Sequence, residues 1–242
     1  MKLVEDVRNL LSTSPQMAEV LNIAEFAGFA QMAGALFTSL CTNHAIGTVV
    51  ADTYSGNQEL IDISCYDIAE TARRNFEPGG EPATLLFSRG VHAIMGYRIT
   101  HQLWKNGDRN LSLAMKAAFG RAFSTDIHPA AKIGKGLWLD HGLGFVVGET
   151  AVIGENVSIW HNVTLGSTLN DSGPNRHPHI ETGVVIGAGA SLLGGITVGA
   201  HANIAAGAIV VKDIPAGALA VGAKASLRGN AQISFIKNEG KP

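Results

Sequence analysis

From Ile127 to Val210 an aliphatic residue returns every six positions, a period that neither an α-helix nor an alternating strand produces. The recurring residues are Ile127, Ile133, Leu139, Val147, Ile153, Ile159, Leu165, Ile180, Ile186, Leu192, Val198, Ile204 and Val210. Four residues after most of them stands a second small or aliphatic residue: Ala131, Leu137, Ala151, Val157, Val163, Val184, Ala190, Ile196, Ala202 and Ala208. Both columns are expected to point inward. Three such hexads per turn, with small residues at tight corners, make a three-sided solenoid whose coils hydrogen-bond to one another at strand spacing. Thirteen recurrences give a little over four coils.

The phase slips twice. Leu139 to Val147 is eight residues and Leu165 to Ile180 is fifteen, which predicts a short bulge and an extruded loop. Solenoids carry insertions as loops on one face, and such loops often build sites. The chemistry-bearing residues fall there: Asp140 and His141 in the first slip, Arg176 and His177 in the second.

Before about residue 120 the grammar is helical, with apolar residues at three- and four-residue spacing in segments such as VHAIMGYRITHQLW. The expected organisation is therefore a helical domain over 1–120, a solenoid domain over 121–228 and a tail over 229–242. Residues Phe26 to Ala51 carry no Asp, Glu, Lys or Arg. Gln31, Asn43, His44 and several hydroxyl residues interrupt that stretch, so a helix buried in an oligomer interface is expected rather than a membrane span.

Eighteen Lys and Arg against 20 Asp and Glu leave no basic surface for nucleic acid or an anionic membrane. Cys41 and Cys65 are too few for a disulfide framework and are expected to be buried thiols of a reducing, cytoplasmic protein. The acidic, amphipathic N-terminus does not read as a secretory signal.

His141 could act as a general base if a carboxylate orients its second nitrogen, and Asp126, fifteen residues earlier, could reach it from an adjacent coil. The same spacing also fits a pair of surface polar groups at a bulge. His128, His161, His179 and His201 are scattered through the solenoid without an evident three-histidine metal set, and no metal is expected. His92 and His101 are expected at an interface or surface.

DIHPAAKIGKGLWLDHGLGFVVGETAVIGENV, VTLGST, NRHPHI and VVIGAGA together resemble the serine O-acetyltransferase family in order and spacing, and CYDIAETARR and GVHAIMGYRITHQLW follow it more loosely. The resemblance implies an α+β fold, an N-terminal helical domain followed by a left-handed parallel β-helix with an extruded loop. It implies acetyl-CoA as co-substrate, L-serine as acceptor, and a trimer or a dimer of trimers. His141 matches the general base and Asp126 the aspartate that orients it. Asp140, Arg176 and His177 match the residues that hold the amino acid, and Glu149 a further acid near the site. Gly166, Ser167, Ala188 and Ala206 match positions along the pantetheine path between two β-helices.

Three departures are visible. Where the family has Arg-Asp-Pro-Ala, this chain reads Arg74-Asn75-Phe76-Glu77-Pro78, so Asn75 or Glu77 must serve in place of the aspartate that meets the substrate ammonium. The last coil reads Val221-Gly222-Ala223-Lys224-Ala225, leaving Lys224 and Arg228 as candidates for the nucleotide end of CoA. The sequence ends Asn238-Glu239-Gly240-Lys241-Pro242 and lacks the terminal isoleucine with which many members enter cysteine synthase, so that partnership is not expected to carry over. Homoserine or another small hydroxylated amine is the alternative acceptor, and a non-catalytic scaffold the alternative role.

Overall fold

Where the period of the chain changes, so does its architecture. The computed structural model describes residues 1–23, 25–168 and 172–227. The helical half contains α1 (Lys2–Ser12), α2 (Pro15–Leu21), α3 (Phe29–Cys41), α4 (His44–Tyr54), α5 (Gln58–Asn75), α6 (Gly80–Phe87), α7 (Arg89–Lys105) and α8 (Arg109–Phe123). The last helix thus runs past residue 120, and the tail expected from 229 lies outside the described residues. Side-chain caps start several helices: Ser14 for α2, Asn43 for α4, Asn57 for α5, Ser88 for α7 and Asp108 for α8.

The uncharged stretch is two helices, not one. Thr42 in the left-handed region ends α3 and Asn43 caps α4, so the pair folds back as a hairpin. Gly34 and Gly47 allow the close approach: a Cβ on Gly47 would lie 2.4 Å from the Gly34 carbonyl oxygen. Among the described residues no helix is long and apolar enough to cross a membrane. Cys41 and Cys65 are free and half-buried rather than buried, and burial pushes both thiols up to about 11.

The second half is a left-handed parallel β-helix of short strands. Face A stacks β1 (Asp126–Ile127), β4 (Val146–Val147), β7 (Thr164–Gly166), β10 (Ser191–Leu193) and β13 (Ile209–Val210). Face B stacks β2 (Lys132–Ile133), β5 (Val152–Ile153), β8 (His179–Ile180) and β11 (Thr197–Val198). Face C stacks β3 (Trp138–Leu139), β6 (Ser158–Ile159), β9 (Val185–Ile186), β12 (Asn203–Ile204) and β14 (Leu219–Ala220). Every one of the recurring aliphatic residues from Ile127 to Val210 lies in a strand and is buried, as is the second column from Ala131 to Ala208. Registers run in phase from coil to coil, for example Leu139↔Ile159↔Ile186↔Ile204 on face C.

The helical half covers the exposed edge of the first coil. Buried Arg98 on α7 donates to both carboxylate oxygens of buried Asp67 on α5 at 2.9 and 3.3 Å, and to the carbonyls of Ile133 and Gly134 at 2.5 and 2.7 Å. Gly136 N–H completes the Asp67 carboxylate at 2.6 Å. Tyr97 adds a hydroxyl that donates to Ala131 O and accepts from Ile133 N–H. The strand edge that would otherwise be open is thus saturated by an ion pair whose own charges are mutually satisfied. His92 is a core residue, not a surface one: its Nε2–H donates to Leu85 O at 2.7 Å between α6 and α7. His101 is half-buried and pairs through Nδ1 with Pro129 O.

Candidate active site

The eight-residue slip makes a bulge at the corner between faces C and A. Asp140 N–H still pairs with Ile159 O of the next coil, after which His141, Gly142 and Gly144 all take positive φ, +60°, +76° and +68°. The left-handed turn throws the His141 imidazole outward, with Nε2 3.3 Å from Asp140 Oδ2. The N-terminus of α7 closes over the bulge because residue 90 is glycine: a Cβ there would fall 1.8 Å from Leu139 O. Between the bulge and the helical half lies a cavity of about 310 Å³ lined by Asn75, Glu77, Phe87, Arg89, Asp140 and His141, among others.

Asn75 and Glu77 therefore line the same cavity as Asp140 and His141. The Trp138 indole N–H donates to Asn75 Oδ1 at 2.9 Å, so an indole that can only donate has taken the amide oxygen and left Asn75 its N–H₂ donors. A neutral amide with one lone pair left is a weaker partner for an ammonium than a carboxylate. Trp138 in turn stacks edge-on against Trp160 of the next coil, centroids 4.7 Å apart. Neither tryptophan nor Arg89 was singled out in the sequence. The helix–solenoid junction brings them in, and no periodicity encodes it.

Asp126 sits at the start of β1, where its N–H bonds Phe145 O, four residues beyond His141. Its carboxylate is paired with Lys116 of α8. Among the described residues no hydrogen bond links Asp126 to His141; the carboxylate beside the imidazole is Asp140.

Arg176, His177 and Glu149 lie at a different corner, between faces A and B. Arg176 donates to Glu149 Oε2 at 2.6 Å, and this guanidinium, helped by His128, holds the Glu149 carboxyl below its usual range. His128 is itself pushed down by burial. The His177 ring occupies the space a Cβ on Gly148 would need. Thr150 N–H donates to His177 Nδ1 at 3.2 Å, so in the neutral ring the proton sits on Nε2, a donor suited to a carboxylate oxygen.

The two groups of candidate residues are thus separated by the width of a face, on the order of 15–20 Å for about six residues. The cofactor candidates divide the same way. Gly166 ends β7 on face A and Ser167 follows it toward the A–B corner, Ala188 and Ala206 lie at the C–A corner, and Lys224 is exposed beyond β14; Arg228 lies outside the described residues. Among the described residues no three His, Cys, Asp or Glu side chains are grouped to hold a metal ion.

No family model matches the chain. It is 38% identical over 233 residues to the serine acetyltransferase of Buchnera aphidicola subsp. Acyrthosiphon pisum, covering 93% of this chain and 85% of that one. Among solved structures, the Neisseria gonorrhoeae serine acetyltransferase in complex with serine superposes with TM-score 0.79 at 32% identity, over 93% of this chain and 95% of that one. The Brucella abortus serine acetyltransferase in complex with coenzyme A gives TM-score 0.80 at 33% identity, over 96% of this chain and 95% of that one. With its repeat in register from end to end and relatives matched over most of their own length, this chain belongs to the serine acetyltransferase family.

Proposed function

We propose that this protein transfers the acetyl group of acetyl-CoA to the hydroxyl of L-serine, giving O-acetyl-L-serine and CoA, in cysteine biosynthesis. The observation that carries the reading is the cavity in which the Asp140 carboxylate stands 3.3 Å from His141 Nε2 with Glu77 in the same wall. An ammonium held by Asp140 and Glu77 places the serine hydroxyl, three bonds away, beside that ring nitrogen. His141 takes the hydroxyl proton as the oxygen attacks the thioester carbonyl, and returns it to the leaving thiolate. Asp126 orients and balances the imidazolium, which requires its carboxylate to exchange Lys116 for His141.

The carboxylate of serine is then gripped by Arg176 and the Nε2–H of His177, supplied by a neighbouring chain. Their separation from His141 within one chain, and the same division of Gly166 and Ser167 from Ala188 and Ala206, support a trimer with the site and the pantetheine groove between adjacent β-helices. Lys224, exposed beyond β14, is assigned to the nucleotide end of CoA. The serine and coenzyme A complexes of the two relatives support both ligands.

A second reading, homoserine as acceptor, rests on Asn75, which offers donors where a carboxylate is otherwise expected. Thiol release from acetyl-CoA, measured with L-serine and L-homoserine, separates the two. L-Serine is expected to have the higher kcat/KM, and His141→Ala to lose on the order of 100- to 10,000-fold in kcat while staying folded. A His141→Ala protein that turned over normally would end the reading.

A further inference from the structure

His161 stands directly beyond His141 on the C–A corner, one coil on. The two rings meet edge to face, centroids 5.5 Å apart and planes at 64°. The corner that carries His161 is pinned on both sides: Asn162 N–H donates to Leu143 O at 2.7 Å in the coil before, and Gly189 N–H donates to His161 O at 3.0 Å in the coil after. Past it the corner holds only Gly187-Ala188-Gly189 and then Ala205-Ala206-Gly207. His161 is therefore the last bulky side chain between His141 and the smooth groove assigned to pantetheine.

The His161 Nδ1 atom is buried and has no hydrogen-bond partner among the described residues. An unbonded buried polar atom weakens a fold, so packing alone would be better served by a carbon at that position. His141 has the opposite difficulty. Its side chain is 65% exposed, and Asp140 Oδ2 lies 3.3 Å from its Nε2. An imidazole tethered on one side only can rotate, and a base that rotates spends much of its time misaligned.

We propose that His161 is a positioning residue for acetyl transfer: its ring walls the face of His141 away from Asp140 and holds Nε2 toward the acceptor hydroxyl. The role is assigned to the ring plane, which faces His141, and not to the buried Nδ1. It acts through His141, so it affects kcat and leaves substrate affinity alone. Asp140, Glu77 and Arg89, the charged groups that line the cavity with His141, are left in place by a change at residue 161, which is not among the lining residues.

This inference rests on His141 being the general base, and the test separates the two claims. His161→Phe keeps a ring, and His161→Leu fills the space without one. The expected result is a kcat within about twofold of the parent for Phe and a loss on the order of tenfold for Leu, with KM for L-serine and acetyl-CoA unchanged in both. Placed in a His141→Ala protein, His161→Leu should cause no further loss, since the residue it positions is gone. An unchanged kcat in His161→Leu, a rise in KM in place of the kcat loss, or an additive loss in the His141→Ala background would each overturn the proposal. So would a tenfold loss in a His161→Phe protein that melts normally, which settles the matter even if the Leu variant does not fold. A His141→Ala protein with full turnover would instead refute the base assignment itself.

Discussion

Asn75 shows how one neighbour changes what a side chain can do. With one lone pair of its oxygen taken by Trp138 and no charge of its own, Asn75 is a weak partner for an ammonium, and on the proposed reading the task falls to the carboxylates of Asp140 and Glu77. Hydrogen bonds to a charged group contribute about 1.5–3 kcal/mol, so Glu77→Gln should raise KM for L-serine roughly 10- to 100-fold with little change in kcat. Asn75→Asp, whose second oxygen would be free, should lower that KM only slightly. Steady-state kinetics on both variants decides: no effect of Glu77→Gln together with a sharp fall in Asn75→Asp removes Glu77 from the site and points to another acceptor. The presence of Asp140, His141, Arg176 and His177 could be read from where the repeat slips, because a broken period announces an insertion. Trp138's hold on Asn75, Lys116's hold on Asp126 and the stacking of His161 could not, because each crosses from one coil or domain to another at a distance that sequence order does not express.

Among the elements, α7 contributes most and was the least legible. A three- and four-residue period predicts one buried stripe, yet Gly90 through Thr100 are buried without interruption, since α7 runs between other helices and the first coil. That is why His92, expected at a surface or interface, lies in the core. Burial pushes its imidazole down to about 4, against about 6.5 in an unfolded chain. Between those values the unfolded state binds the extra proton, so the stability contribution is held above about pH 6.5 and lost as pH falls toward 4, up to about 3 kcal/mol. Half-buried His101 is shifted the same way and adds to the slope. Thermal melts from pH 7 to 4.5 should show Tm falling, and His92→Gln, which keeps a donor for Leu85 O but cannot titrate, should flatten the curve. A slope unchanged by His92→Gln would assign the acid sensitivity elsewhere.

At the scale of the molecule, the β-helix is closed at its first coil by α5 and α7 and ends in a last coil with exposed Ile209, Val211, Leu219 and Val221. Each coil stacks only on its neighbours, as in other solenoids, and the Arg98–Asp67 pair anchors the first of them. The recurrence of aliphatic residues every six positions foretold this much, strand by strand. The placement of His141 and Arg176 on separate corners carries a genetic corollary. On the proposed inter-chain site, a chain with His141→Ala and a chain with Arg176→Ala should each be inactive alone, yet each holds what the other lacks. Coexpressed in equal amounts and assembled at random, about one site in four would join an intact histidine from one chain to an intact arginine from the next. Two null alleles should thus complement each other to about a quarter of the parental rate, whereas a site complete within each chain would leave the mixture dead.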